Sequence, residues 1–277
     1  MGMDSNSVKA LVWLYRRGVK FGSVACLGRQ GLHVDSQTLQ RLLAGIGAPP
    51  AGEYSEELFK LLGASSVESF DASDYERATH VHDFNLAIPR EFHERYDTVL
   101  DGGSLEHIFN VTAALANCMA MVKSGGYYIG FTPANNFFGH GFYQFSPEFY
   151  FRAFTPANAF AIEHVIAYED RPGAAWFGVA DPAEVRERTV LVNGRLTYLL
   201  VVARKLRSCT EFFSRAPQQS DYAAAWQEGE WKGQAVRSQR RSLLKRLILR
   251  LTPDRVQHML QVDQGMRMTP YWFKRME

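Results

Sequence analysis

The feature that most constrains this chain is a succession of short, nearly continuous apolar segments separated by helical stretches. The strand-like segments are Val19–Leu27, "SVESF" at 66–70, "THVHDF" at 79–84, "YDTVLD" at 96–101, "GYYIGF" at 126–131, "FAIEHVIAYE" at 160–169 and "LTYLLVVARK" at 196–205. Strands without polar alternation are buried on both faces, and strands alternating with helices lie parallel in one sheet. The expectation is a doubly wound, Rossmann-like α/β fold of about seven strands.

Helical spacing supports this order. Val8, Leu11, Val12, Leu14 and Tyr15 form an apolar stripe that predicts a helix over 6–17. A second helix is expected from Ser36 to Leu43, with Asp35 or Ser36 as N-cap, and a third over 55–62. A long apolar helix, "SLEHIFNVTAALANCMAMV", is expected between the fourth and fifth strands. Residues 169–194 read as irregular.

With 46% hydrophobic and 22% charged side chains in 277 residues, a large core is available. The net charge of +2 argues against a surface devoted to nucleic acid. That charge is uneven: residues 205–277 hold 14 Lys and Arg against 7 Asp and Glu, whereas the first 204 hold 17 against 22. The boundary divides a main domain, 1–204, from a basic helical C-terminal extension, 205–277. Within the extension, "AVRSQRRSLLKRLILRL" at 235–251 reads as a basic amphipathic helix. It would pack on its own domain or a second subunit, with peripheral membrane contact as the alternative. Cys26, Cys118 and Cys209 are isolated and odd in number, which supports neither a disulfide framework nor a cysteine zinc site. A cytoplasmic location is the expectation, since neither a signal peptide nor a spanning segment is evident.

Ligands of doubly wound sheets sit at the carboxyl ends of the strands. Those ends present Gly28, Asp71, Asp83, "DGGSLEH" and "TPANN". Asp71 is placed to accept from a ribose diol, or to cap a helix at "ASDYERA". Asp83 is placed to accept from an adenine amino group, or to close a turn. Asp101, Gly102 and Gly103 let backbone and carboxylate approach a ligand, with His107 beside them. Glu106 is placed beside the same pocket, and it also has a structural explanation in the stabilisation of a helix N-terminus. Residues 133–154 hold His140 between Gly139 and Gly141, with Asn135, Asn136, Tyr143, Gln144 and Glu148 as acceptor-contacting candidates. No metal ligand set is assigned.

"VACLG", Asp71, Asp83, "YDTVLDGGSLEHI" and "MVKSGGYYIGFTP" resemble, in order, the motifs of the class I S-adenosylmethionine-dependent methyltransferases. The resemblance covers about residues 19–204. It implies a sheet whose last strand is antiparallel, and S-adenosylmethionine over the first four strands. It also implies Gly28 near the methionine moiety, Asp71 on the ribose and Asp83 near the adenine. The first loop departs from the family, with Cys26, Arg29 and Gln30 where an acid and glycines are usual. Arg29 would either pair with the cofactor carboxylate or occlude the site. The function expected is methyl transfer to oxygen of a small-molecule or glycan-like acceptor, with His140 as base and His107 as second choice. The competing expectations are an inactive scaffold acting through 235–251, and an enzyme that uses the cofactor without transferring methyl.

Overall fold

A computed structural model describes residues 2–186, 188–209, 211–228, 267–268 and 273–276. The main sheet contains, in chain order, β1 (Ser23–Leu27), β2 (Ser66–Asp71), β3 (His80–Val81), β4 (Tyr96–Asp101), β5 (Val122–Asn135), β6 (Phe160–Glu169), β7 (Trp176–Val179), β8 (Thr197–Lys205) and β9 (Phe273–Met276). Their spatial order is β9-β7-β6-β8-β5-β4-β1-β2-β3. Strands β1 to β5 pair in parallel, and β8 runs antiparallel between β5 and β6. All seven expected strands are present, and the last of them is the antiparallel one. The fold is therefore the Rossmann-like mixed sheet that the alternation predicts.

Two edge strands extend it. Part of the stretch read as irregular forms β7, whose Trp176 is 4% exposed in the core, and β9 pairs antiparallel with β7. Residues 235–251, read as a basic amphipathic helix, lie outside the described residues. Among the described residues no helix is long and apolar enough to cross a membrane.

The period of two in the strands explains why the sheet is covered twice. Val24, Cys26 and Leu100 face a cluster with Leu11, Leu39 and Phe59, which come from α1 (Ser5–Arg16), α2 (Ser36–Leu42) and α3 (Glu56–Leu61). Ala25, Leu27 and Val99 face the other cluster, with Leu115 and Met119 of α4 (Val111–Met121) and Tyr150 of α5 (Pro147–Ala153). Local caps set the first two helices. Asp4 accepts from Ser7 N–H and Asp35 from Thr38 N–H, each at 2.8 Å.

The long helix expected from Ser104 is broken. The Asp101 carboxylate accepts from the N–H groups of Ser104 (2.8 Å) and Leu105 (3.3 Å), closing a 3-10 turn over Leu105–His107. The chain then straightens, and α4 starts only after Asn110, whose side chain accepts from Ala113 N–H.

Candidate functional site

The carboxyl ends of β1, β2 and β4 lie side by side, because β1 pairs in parallel with both of the others. At the end of β1 the chain turns at Gly28, with φ of +69°, and its N–H donates to Phe70 O of β2 at 2.7 Å. Arg29 is held away from the sheet. Its Nε donates to Glu56 Oε1 at 2.7 Å, its guanidinium lies 3.8 Å from the Tyr54 ring centroid, and it also donates to Glu76 O.

Gln30 takes the space that Arg29 leaves. Its side chain is 1% exposed, and Nε2 donates to Leu27 O at 2.5 Å. A Cβ at Gly102 would stand 2.5 Å from the Gln30 amide carbon, so Gly102 is needed for this packing. Gln30 Oε1 is left without a partner.

Asp71 caps no helix, because none forms at "ASDYERA". Its carboxylate accepts a long 3.4 Å bond from Ser73 N–H and keeps further acceptor capacity. Asp83 is exposed and accepts from both the backbone N–H and the Nδ2 of Asn85, at 2.9 and 2.7 Å. Those bonds hold its carboxyl below the usual value, and its geometry is that of a turn residue.

Asp101 is fully buried, and besides its two backbone bonds its other oxygen accepts from Tyr128 Oη at 3.2 Å. Burial raises its carboxyl to about 6 despite those bonds. It builds the turn that carries the site, with its oxygens turned inward.

That turn places Glu106, 1% exposed, beneath Gly103. The α-helix N-terminus that would explain Glu106 does not form at this point, and the N–H groups of Ser104 and Leu105 that open the single 3-10 turn there go to Asp101, not to Glu106. Burial, and then the Asp101 carboxylate nearby, push the Glu106 carboxyl up to about 8. Its Oε1 lies 3.7 Å from His140 Nε2, and its Oε2 has no partner.

The loop after β5 docks on this turn. Phe142 N–H donates to Glu106 O at 2.7 Å, and a Cβ at Gly141 would come within 2.6 Å of the same oxygen. Glycine at 141, with φ of +68°, lets the loop close down. The His140 and His107 rings then meet edge to face, 4.9 Å apart. Burial, followed by the neighbouring His140, lowers the His107 pKa. Around them Phe138, Phe142 and Phe109 are 98%, 63% and 70% exposed, an apolar rim on the crevice.

The structure brings His107 and His140 together with Glu106. It assigns most other acceptor candidates to supporting the loop. Tyr143 Oη donates to Phe109 O at 2.6 Å, and Gln144 Oε1 accepts from Phe137 N–H at 2.8 Å. Asn135 and Asn136 both donate to Asn193 Oδ1 at 2.9 Å. Glu148 faces away on α5 and accepts from Ser220 N–H at 2.7 Å.

Gln30 and Glu106 escape a reading of sequence motifs. The first stands where the motif expects glycine, and the second has a sufficient local explanation. The available signal for Glu106 is its position between a glycine pair and a histidine.

No protein-family model matches the chain, and no curated protein sequence matches it. Solved structures do. An S-adenosylmethionine dependent methyltransferase from Mesorhizobium loti is 14% identical, covering 72% of this chain and 97% of that one, with a TM-score of 0.41. The 1,6-didemethyltoxoflavin-N1-methyltransferase of Burkholderia thailandensis, with S-adenosylhomocysteine bound, is 14% identical over 73% of this chain and 77% of that one, TM-score 0.38. The branched-chain polyamine synthase of Thermus thermophilus, with 5'-methylthioadenosine bound, is 15% identical over 78% and 60%, TM-score 0.39. The assignment of the fold rests on the strand order and direction given above.

Proposed function

We propose that this protein is an S-adenosylmethionine-dependent methyltransferase acting on oxygen of a small-molecule or glycan-like acceptor. The observation that carries the proposal is the set of orphaned buried atoms. Among the described residues five buried side-chain atoms lack a partner, and three of them, on Gln30, His82 and Glu106, follow the carboxyl ends of β1, β3 and β4. Buried polar groups are normally paired, and these three follow the carboxyl ends of parallel strands, the side on which doubly wound sheets take their ligands.

The residues present suit the cofactor. Asp71 offers a carboxylate with free acceptor sites to the ribose diol, and Gln30 Oε1 offers an acceptor to the α-ammonium group. Arg29, committed to Glu56, takes no part. Bound there, S-adenosylmethionine supplies an electrophilic sulfonium methyl for in-line displacement.

The chain's own work is positioning and proton handling. The exposed phenylalanines present an apolar rim to the flat face of an acceptor. His140, 46% exposed at its side chain and joined to the buried Glu106, takes the hydroxyl proton. Its neighbour His107 is the second imidazole within reach.

Calorimetric binding of S-adenosylhomocysteine to the wild type and to Asp71→Ala tests the cofactor site. Binding is expected for the wild type and a loss of about tenfold or more for the variant, the scale of one charge-assisted hydrogen bond. Absence of binding to folded wild type would favour the scaffold reading, in which Gln30 has closed the loop. Unchanged turnover in His140→Ala would remove that residue from the mechanism.

A further inference from the structure

Glu106, His107 and His140 present one ligand atom each, all within 4.8 Å of one another. We propose that these three side chains form a binding site for a divalent transition cation of the zinc class. Two imidazoles and one carboxylate are a donor set for such ions, and three protein ligands leave a coordination position open for water or a hydroxyl.

The second and independent observation is Glu106 itself. Its side chain is 1% exposed, its Oε1 already faces His140 Nε2 at 3.7 Å, and its Oε2 has no hydrogen-bond partner. Among the described residues its sole ion-pair partner is His140. A carboxylate buried in this way is costly unless a cation or a hydrogen bond compensates it, and a divalent ion does so directly.

The geometry needs only a modest contraction. Zinc ligands at 2.0–2.2 Å in a tetrahedral site stand roughly 3.3 Å from one another. The Glu106–His140 pair is close to that separation. His107 and His140 are exposed and turn on their side-chain torsions, and Gly139 and Gly141 flank His140 in the loop. Hydrogen bonding of Phe142 N–H to Glu106 O fixes the loop to the turn, so ligands 34 residues apart in the chain are held in register.

Binding of the ion does not depend on the methyltransferase reading, although its use in catalysis does. With the ion in place His140 would serve as a ligand instead of as the base, and the cation would supply the acidification of a hydroxyl at the open position.

The test uses untagged full-length protein, stripped with chelator and titrated with Co²⁺ and Zn²⁺. Wild type is expected to bind one equivalent, with the visible absorption of low-symmetry Co²⁺. His107→Ala and His140→Ala, both at exposed positions, and the near-isosteric Glu106→Gln should each weaken binding by tenfold or more. S-adenosylhomocysteine binding is measured on the same samples. Retention of cofactor binding in all variants separates failure of the cation site from failure of the cofactor site. Wild-type affinity for Co²⁺ no greater than that of the His107→Ala/His140→Ala double variant would overturn the proposal, whatever the cofactor result.

Discussion

Gly102→Ala is the most direct probe of how the crevice is packed. The new methyl would lie 2.5 Å from Cδ and Oε1 of Gln30 and 3.0 Å from its Nε2, too close for any of these atoms to stay. The Gln30 amide must move, and its 2.5 Å bond to Leu27 O is the contact that such a movement strains. Leu27 O keeps a partner, because Ser104 Oγ donates to it at 2.7 Å, so the loss falls on the Gln30 amide. Leaving a buried amide unsatisfied costs about 1–3 kcal/mol, and overfilling a packed site costs a similar amount. One movement of Gln30 causes both, so the two do not simply add, and a loss of roughly 2–4 kcal/mol in urea unfolding is expected. Gln30→Ala vacates the same volume, so the double variant should recover most of it, with a coupling energy of about 1–3 kcal/mol. Two additive single effects, or a Gly102→Ala variant within about 0.5 kcal/mol of wild type, would refute the claim that Gln30 fills this space.

Three further outcomes follow from polar groups elsewhere in the fold. Lys205 is fully buried, and its ammonium donates to Met119 O, Val122 O and Cys209 O while pairing with Glu94 at 3.0 Å, so it closes the carboxyl end of α4. Lys205→Met should therefore cost about 3 kcal/mol or more in chemical denaturation. Asp101 is raised from 3.8 to about 6 in the fold, so the folded state holds the proton more tightly than the unfolded chain. Its contribution is complete below about pH 4 and is lost as pH rises through about 6, and Glu106, raised in the same direction, extends the loss above that. Asp101→Asn should flatten the stability profile over that window, and an unchanged slope would show that Asp101 does not cause it. Asn193→Ala removes the acceptor shared by Asn135 and Asn136, so limited proteolysis should cut faster within residues 133–145.

The architecture was legible because strands buried on both faces must be apolar throughout, and because Asp4 and Asp35 cap their helices through bonds that span three residues. The start of α4 was not. Ser104 followed by Glu106 has the composition of a helix N-terminus, yet the turn there is closed by Asp101, a residue from the preceding strand. The partners of Arg29 and Asn135 lie 27 and 58 residues away, and the glycine that makes room for Gln30 lies 72 away, so no local pattern announces these contacts.

These departures are not scattered. A buried glutamine in place of a loop glycine and a buried glutamate with only an exposed histidine beside it both break rules that a sequence selected for stability alone would keep. Each stands at the carboxyl end of a central strand, and each leaves an oxygen unpaired. Local rules in natural proteins fail mainly where function requires it. The two failures point into one crevice from β1 and β4, the strands at whose ends the fold reverses direction and binds its ligands. A loop that had merely decayed would be free to pair its buried groups or expose them, since nothing would oppose the 1–3 kcal/mol gained for each, in the usual range. The unpaired oxygens of Gln30 and Glu106 are the observation on which the proposed cofactor and cation sites both rest.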